Sequence, residues 1–515
     1  MKKNIVLALT TGILFAFALP PFKTGFLAYG ALIPFFMLLE TKSGREAFRW
    51  GYITGLCIAV FTVFWIGWIT LPGLIGVLLV WPLYIALFAL LHTFFLKHMF
   101  TLAYAITPFL WTSIEYLESL SELAFPWNYI GYTQSYFLPL IQHAEFTSIY
   151  GVSFWVVCLN VLYFLLYKNW NDRISALKFA TLIVFLLMLP LAHGLLVMDR
   201  EAATEQIKVS IIQGNKDPNE KWDGDVYENN FSTYESMTET ALQAHPDLII
   251  WPETAMPFYL RSERNYLERI HNLIDTTQTT LLTGTLDYEF LSDGQYSRFN
   301  AANLIQPNSS IIQRYYKMKM VPFSERVPYK TFFPFNVLKD LLWDLGLGDY
   351  TLGREVTTFT ANTRDQYLLM NATPEAPPAE GYQTGVAICY ESVFPNHTRK
   401  YVNNGANFLI IITNDAWFGR TSAPYQHNQI AVFRAIENRR DIARCANTGI
   451  SSFIDKYGRV RKATPIFEPA IITDQVAVEY DKTFYTRYGN FFIHLVIAIT
   501  LGFIFYTSIR KFVVR

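Results

Sequence analysis

The 515-residue sequence has few cysteines and none of the short motifs that bind zinc. Its four cysteines form no CxxC pair, and it has no HExxH motif and no His/Cys cluster, so we predict neither a disulfide framework nor a metal site. The 42 basic and 42 acidic residues balance, and no basic block marks a nucleic-acid binding surface. We therefore expect no metal, no cofactor and no nucleic-acid partner.

Hydrophobic residues make up 52% of the sequence and aromatic residues 17%. A chain of this length exceeds what one hydrophobic core usually serves, so we expect at least two folding units, one of them in a membrane. Apolar stretches long enough to cross about 30 Å of hydrocarbon predict eight spans. They cover residues 4–20, 25–40, 51–71, 75–96, 99–117, 149–167, 179–198 and 488–508. The predicted domains are a membrane domain over 1–200, an outer domain over 205–482 and an eighth helix over 487–509.

The first apolar stretch has an alternative interpretation as a cleaved signal peptide. Lys2 and Lys3 precede it, and Ala16-Phe17-Ala18 resembles a cleavage site. A second apolar stretch follows almost at once, so we favour a retained span.

The orientation is predicted from lysine and arginine, which favour the cytoplasmic side of a membrane. An inside N-terminus leaves only Lys23 in a short outer loop, and the loop 118–148 carries three glutamates and no basic residue. The residues then placed in the cytoplasm are Lys2, Lys3, Lys42, Arg45, Arg49, Lys97, Lys168, Arg173, Lys178, Arg510, Lys511 and Arg515. Seven crossings deliver residues 200–485 to the outer face.

The loop 118–148 contains the aromatic stretch "AFPWNYIGYTQ". Its rings suit the water–lipid boundary, and they belong to Phe125, Trp127, Tyr129 and Tyr132. They form either a plain interfacial belt or a lipid-contacting rim beneath the outer domain, in which Glu145 is a polar group.

Between residues 206 and 482, short β-rich runs alternate with polar helical stretches, which predicts an α/β layered sandwich. Three of the predicted strands end on reactive side chains: Glu253 after "LIIWP", Lys317 after "IIQRYY" and Cys389 after "GVAI". Each alone is weak evidence. Together they supply a thiol, a carboxylate that can accept its proton, and a cation that can stabilise an oxyanion, which is a complete acyl-transfer apparatus without histidine.

The ordered motifs "WPET", "YKMKMVPFSE" and "GVAICYES" resemble those of the nitrilase superfamily, with its Glu-Lys-Cys triad. The stretch "NDAWFGRTSAPYQHNQIAVFRAIENRRDIARCANTGISSFID", with seven spans before the outer domain and one after it, is similar to bacterial apolipoprotein N-acyltransferases. This resemblance covers nearly the whole chain. It implies a multi-pass α-helical membrane domain joined to a nitrilase-like αββα sandwich.

The resemblance also implies roles for individual residues. Glu253 is expected to be the general base, Lys317 the oxyanion-stabilising cation and Cys389 the nucleophile. The expected supporting residues are Glu325, Tyr390, Glu391 and Trp222. The sequence departs from the family at Ser324, where glycine is usual, and at Lys319-Met320, where a His-Leu pair is common. We prefer Lys317 to Lys319 because it stands eight residues before Glu325, as the motif requires.

The reaction implied by the resemblance is a ping-pong acyl transfer. Cys389 takes an acyl chain from a phospholipid as a thioester and passes it to the α-amino group of the N-terminal diacylglyceryl-cysteine of a lipoprotein. The implied location is the bacterial inner membrane, with the catalytic domain on the periplasmic side. We expect a monomer, since nothing in the sequence demands a partner subunit.

Two other functions are alternatives to acyl transfer. A membrane-tethered nitrilase-type amidase would share the triad but gives no reason for eight spans. A transporter with an outer sensing domain predicts ionisable residues within the membrane, where His92 is the clearest example and lies at the end of its span.

Two further features allow alternatives. Residues 334–353 contain leucines at helical spacing, which fits either a helix packed on its own domain or a lid that contacts lipid. A disulfide between Cys389 and Cys445 is the alternative to a free nucleophile in an oxidising compartment. Cys57 and Cys158 lie in predicted spans and are expected to serve packing.

Overall fold

The computed structural model describes residues 1–200, 205–218, 226–290, 295–333, 336–337, 350–372 and 381–513. The chain divides into two compact units, which we call the helical unit (Met1–Arg200 with Tyr488–Arg515) and the α/β unit (Glu201–Arg487). Trp222 and most of the predicted insertion 334–353 lie outside the described residues.

The helical unit consists of apolar helices joined by short connections. The helices are α1 (Lys2–Ala18), α2 (Ile33–Leu39), α3 (Gly44–Val63), α4 (Ile66–Ile69), α5 (Leu71–His98), α6 (Phe100–Leu117), α7 (Leu138–Ile141), α8 (Ala144–Lys168), α9 (Arg173–Met198) and a C-terminal helix (Phe491–Val513). Within the described residues, four of these are long and apolar enough to cross a membrane: α5, α8, α9 and the C-terminal helix.

Residues 25–40 do not form the single spanning helix that the sequence predicts. They form a 3-10 helix, Gly25–Tyr29, followed by the seven-residue α2. The prediction is wrong because Gly30 ends the first piece and Pro34, in the first turn of α2, starts a new one. The break is satisfied by Asn160 of α8, which accepts from Leu32 N at 2.8 Å and donates to Ala28 O at 2.7 Å.

This broken segment still connects two ends of the helical unit. At its start, Gly25 O accepts from the Gln134 side chain at 2.8 Å. Just beyond its end, Glu40 pairs with Lys168 and accepts from Tyr104 OH. Thr507, close to Arg510 and Lys511, contacts Met99, which follows Lys97.

The stretch predicted at the water–lipid boundary lies inside the helical unit. Trp127, Tyr129 and Tyr132 are all buried, so both boundary interpretations are wrong for these residues. The prediction failed because protein side chains, and not water, accept the backbone hydrogen bonds of this stretch. Ile130 N donates to Glu115 Oε1 at 2.8 Å, and Gly131 N donates to Ser153 Oγ at 3.1 Å. Glu145 pairs with His193 at 3.2 Å.

The α/β unit contains two sheets. Its strands are β1 (Gln206–Gln213), β2 (Leu248–Ile250), β3 (Met256–Tyr259), β4 (Thr280–Phe290), β5 (Tyr296–Ile305), β6 (Ile312–Tyr316), β7 (Thr358–Ala361), β8 (Tyr382–Ile388), β9 (Phe408–Thr413), β10 (Ile442–Ala446), β11 (Ser452–Ile454), β12 (Val460–Ala463) and β13 (Ala470–Ala477). One sheet has the order β13-β1-β2-β4-β5-β6, with β3 paired to β4, and the other has the order β12-β11-β10-β9-β8-β7.

The two sheets pack face to face between helices, which confirms the predicted αββα sandwich. Cys445 Sγ, on β10, lies 3.4 Å from the carbonyl oxygens of Ile212 and Ile250 in the other sheet. The helices are α10 (Tyr227–Leu242), α11 (Arg264–Thr277), α12 (Arg364–Ala372), α13 (Pro395–Asn403), α14 (Ala423–Asn438) and the short α15 (Phe484–Tyr488). Apolar residues of α10 and α11 form one core cluster with the first sheet.

Strand direction brings the reactive residues to one edge of each sheet. Strands β2 and β4 are parallel, and β6 runs the same way because β5 is antiparallel to both of its neighbours. Strands β8, β9 and β10 are also parallel. The carboxyl ends of β2 and β6 therefore share an edge, as do those of β8 and β9.

The break at residues 25–39 generates a stability prediction. Asn160→Leu leaves the Leu32 N–H and the Ala28 carbonyl without their partner in apolar surroundings, which we expect to cost about 1–3 kcal/mol. The measurement is the thermal unfolding midpoint of the full chain in detergent. Asn169→Leu is the matched control, since its side chain donates only within the end of its own helix. Equal midpoints for the two variants would contradict the prediction.

Candidate active site

The centre of the site is the ammonium group of Lys317, which is fully buried directly after β6. Its Nζ lies 3.0 Å from Glu253 Oε1 and 2.7 Å from Glu325 Oε1. A buried charge is tolerated only when it is paired, and here two carboxylates pair with one cation. The structure thus brings together three of the residues predicted from the motifs.

Glu253 is held by further hydrogen bonds at the end of β2. Asn300 Nδ2 donates to Glu253 Oε1 at 2.8 Å, and Asn414 N donates to Glu253 Oε2 at 3.0 Å. A side chain on Gly284 of β4 would collide with the backbone of Glu253, so the glycine lets the turn approach the sheet. The carboxylate is therefore fixed in position on both oxygens.

The charges of this cluster shift the pKa values of its members. Burial alone lowers the pKa of Lys317, but the charges of Glu253 and Glu325 outweigh it and raise that pKa well above its usual value. Burial raises the pKa of Glu325, and Lys317 opposes this effect. Lys317 is therefore a cation paired with two carboxyl groups.

Cys389 follows β8 directly and begins a 3-10 helix, Cys389–Val393. Its backbone has φ 52°, the left-handed region that a residue with a side chain rarely adopts. The thiol is free, as is that of Cys445, so the alternative of a disulfide between them is wrong. Burial raises the pKa of the Cys389 thiol, Glu253 raises it further, and Lys317 lowers it. The thiol thus needs a base to become a nucleophile.

Glu391 connects the turn that carries Cys389 to the turn that carries Lys317. It is fully buried and accepts from Ile388 N at 2.8 Å, Met318 N at 2.6 Å and Tyr315 OH at 2.7 Å. Burial would raise the pKa of Glu391, but the charge of His397 and these hydrogen bonds hold it below its usual value. Tyr390 is buried and packs edge-on against Phe394.

Comparisons with known proteins cover the whole of this architecture. Residues 11–162 match the apolipoprotein N-acyltransferase N-terminal domain, and residues 208–482 match carbon-nitrogen hydrolase. An apolipoprotein N-acyltransferase of Geobacter metallireducens is 34% identical over 95% of this chain and 92% of its own length. Another, from Chlorobaculum tepidum, is 32% identical over 99% of this chain and 98% of its own length. The chain belongs to the apolipoprotein N-acyltransferase family.

A comparison of folds also found similar solved structures. Nit3 of Saccharomyces cerevisiae, a member of branch 10 of the nitrilase superfamily, has 16% identity and a TM-score of 0.38, covering 54% of this chain and 92% of that one.

Membership of the apolipoprotein N-acyltransferase family confirms the predicted resemblance, and it makes this chain an acyltransferase with a carbon-nitrogen hydrolase domain. Together with the apolar helices, it identifies a membrane protein. Among the described residues, no group of histidine, cysteine and carboxylate side chains fits a metal ion.

Two residues at the site were missed by the sequence analysis. Asn414 follows β9, so the rule that located Cys389 at a strand end could have found it. Asn300 lies within β5, where an asparagine carries no signal that distinguishes it from a structural residue. Its side chain also lies 3.4 Å from Glu325 Oε1, so it bridges both carboxylates.

The charge arrangement generates a prediction for the reactivity of the thiol. Lys317→Met removes the cation that lowers the pKa of Cys389, so we expect alkylation of Cys389 by iodoacetamide at neutral pH to slow by roughly tenfold or more. Peptide mass spectrometry over time measures the rate. Lys319→Met is the control, because Lys319 is exposed and lies over the Phe394 ring. If alkylation slowed in Lys319→Met and not in Lys317→Met, the choice of Lys317 as the cation would be wrong.

Proposed function

We propose that the protein transfers an acyl chain from a phospholipid to the α-amino group of the N-terminal diacylglyceryl-cysteine of lipoproteins, through a thioester on Cys389. The observation that carries this proposal is a free thiol at a strand end, electrostatically coupled to a buried Glu253–Lys317 pair, in a chain similar to apolipoprotein N-acyltransferases over nearly its whole length.

In the first step Glu253 takes the proton of the Cys389 thiol, and the thiolate attacks the ester carbonyl of the phospholipid. The negative charge that develops on the carbonyl oxygen is stabilised by the Lys317 ammonium. The intermediate collapses by breaking the bond to the glycerol oxygen, which receives the proton from Glu253 and leaves as lysophospholipid.

In the second step the α-amino group of the lipoprotein attacks the thioester carbonyl. Lys317 again stabilises the oxyanion, Glu253 accepts a proton from the attacking nitrogen, and the Cys389 thiolate leaves and recovers that proton. The products are an amide-linked acyl chain and the free thiol, so atoms and charge balance over the cycle. Glu325 is the second carboxylate that pairs with Lys317, and Glu391 holds the turns that carry the cysteine and the lysine.

An amidase that is merely tethered to the membrane would use the same triad. The relatives that match over nearly the whole chain carry the N-acyltransferase name, which favours acyl transfer. Products formed from a phospholipid, and not from a soluble amide, distinguish the two activities. The supporting role of Trp222, the two alternatives for residues 334–353 and the monomeric state stay predictions.

The proposed location is the bacterial inner membrane, with the α/β unit on the periplasmic side. The support is the distribution of charge over the helical unit. Glu40 contacts Lys168, and Met99 contacts Thr507. The basic connections next to these residues therefore lie at one end of the unit. Basic residues favour the cytoplasmic side, so this end faces the cytoplasm.

The first prediction concerns the nucleophile. Wild-type protein incubated with acyl-labelled phospholipid and no acceptor should keep hydroxylamine-sensitive label, because ping-pong chemistry stops at the thioester. Cys389→Ala should carry none, and Cys389→Ser at most a trace. Cys445→Ala is the matched control, since that thiol is buried between the sheets, and it should be labelled normally. Acylation of lipoprotein without any labelled intermediate would exclude the covalent role of Cys389.

The second prediction concerns orientation. A phosphatase reporter that is active only when exported should be active when fused after residue 200 and inactive when fused after residue 170, in the basic connection between α8 and α9. The paired fusions also test whether the broken segment 25–39 crosses the membrane, because one crossing fewer reverses both results.

A further inference from the structure

A second buried polar cluster lies behind Cys389 and takes no part in the proposed acid–base chemistry. It consists of Asp415 after β9, His427 on α14, Arg444 on β10 and Ser392 in the turn that begins at Cys389. All four side chains are buried, with at most 1% of any residue exposed. Asp415, His427 and Arg444 belong to the long motif after residue 413, which contains none of the three predicted triad residues.

The cluster begins with a fixed carboxylate. Asp415 Oδ2 accepts from Arg444 Nη2 at 2.8 Å, and Oδ1 accepts from Thr413 Oγ1 at 2.8 Å. A side chain on Gly449 would collide with this carboxylate, so the glycine makes room for it. Burial alone would raise the pKa of Asp415, but Arg444 and His427 hold it well below its usual value.

His427 carries the interaction from Asp415 to the backbone of Cys389. Its Nδ1 lies 3.0 Å from Asp415 Oδ1, and its Nε2 lies 2.9 Å from Ser392 Oγ and 3.3 Å from the carbonyl oxygen of Cys389. Ser392 Oγ also donates to that carbonyl at 2.8 Å. A carbonyl oxygen and a carboxylate can only accept, so every contact is favourable when both ring nitrogens of His427 donate.

The group that receives these hydrogen bonds belongs to the strained residue of the site. Cys389 has φ 52°, and such a conformation persists only where the surroundings over-determine it. Arg434, seven residues after His427 on α14, donates to Val393 O at 3.1 Å at the other end of the same turn. One face of α14 therefore holds both ends of the turn that carries the thiol.

We propose that His427, oriented by Asp415, is a positioning residue for Cys389: with Ser392 it holds the carbonyl oxygen of Cys389 and so fixes the left-handed turn that presents the thiol to the substrate. The inference rests on the proposed nucleophilic role of Cys389. His427 touches the backbone of the nucleophile and not the reacting atoms.

The test uses the full chain in detergent with a fluorescent-acyl phospholipid and no acceptor. We expect His427→Ala to slow single-turnover thioester formation about 10- to 100-fold, because a small displacement of a reacting group costs that much. The phospholipid concentration that gives the half-maximal rate should stay within about twofold of the wild-type value, because the proposed role of His427 involves no contact with the lipid. His427→Gln, which keeps an N–H donor on a side chain of similar reach, should recover most of the rate.

Two comparisons separate positioning from a loss of structure. His271→Ala removes a partly exposed His–Asp pair on α11, in which His271 lies 3.1 Å from Asp275, and should leave the rate unchanged. In a double-mutant cycle, Ser392→Ala combined with His427→Ala should cost less than the product of the two single losses, because both act on one carbonyl. Thermal unfolding midpoints of all variants show whether a rate loss follows a loss of fold.

The outcomes are distinguishable. A wild-type rate in His427→Ala, or a His427→Gln variant that folds but is as slow as His427→Ala, overturns the inference. Iodoacetamide alkylation of Cys389 gives a second readout that needs no lipid, and His427→Ala should slow it as well. If the wild type forms no thioester, the proposed function fails, while the alkylation series still decides whether His427 positions the thiol.

Discussion

The α/β unit depends on one buried ammonium group held between two carboxylates. Burying the Lys317 ammonium is unfavourable unless Glu253 and Glu325 both pair with it. The ends of β2 and β6 and the turn before Glu325 must therefore lie close together. Asn300 bridges the same two carboxylates from β5. These paired groups act electrostatically on the Cys389 thiol, whose pKa is raised by burial and by Glu253 and lowered by Lys317.

The second sheet is joined to this charge cluster by hydrogen bonds between backbone N–H groups and carboxylates. Asn414, at the end of β9, donates to Glu253, and Glu391 joins the turn after β8 to the turn after β6. On the other side of Cys389, Ser392 and His427 contact its carbonyl oxygen, and Asp415 contacts His427. Cys389 therefore interacts with the charges of Glu253 and Lys317 through its side chain and with Ser392 and His427 through its backbone.

The helical unit follows the same rule, that a buried polar group needs a partner, in more apolar surroundings. Its chain leaves α-helical geometry at residues 25–32 and 124–134, and side chains of α6 and α8 satisfy the backbone there. Such breaks are tolerated inside a membrane protein only where other protein groups supply the missing hydrogen bonds. Asn160 and Glu115 thus stabilise irregular backbone in the interior of the helical unit.

The sequence by itself determined the two units and the αββα sandwich, and it predicted three residues as a triad, because spans, buried strands and strand-end motifs are local patterns that single stretches reveal. Only the tertiary structure decided what lies between distant stretches. The helix break at residues 25–32 depends on Asn160, over a hundred positions away, and the buried aromatic loop depends on Glu115 and Ser153. Asn300 and His427 became visible at the site only once folded strands and helices placed their side chains beside Glu253 and Cys389, because a hydrogen bond between remote residues leaves no pattern in either stretch alone.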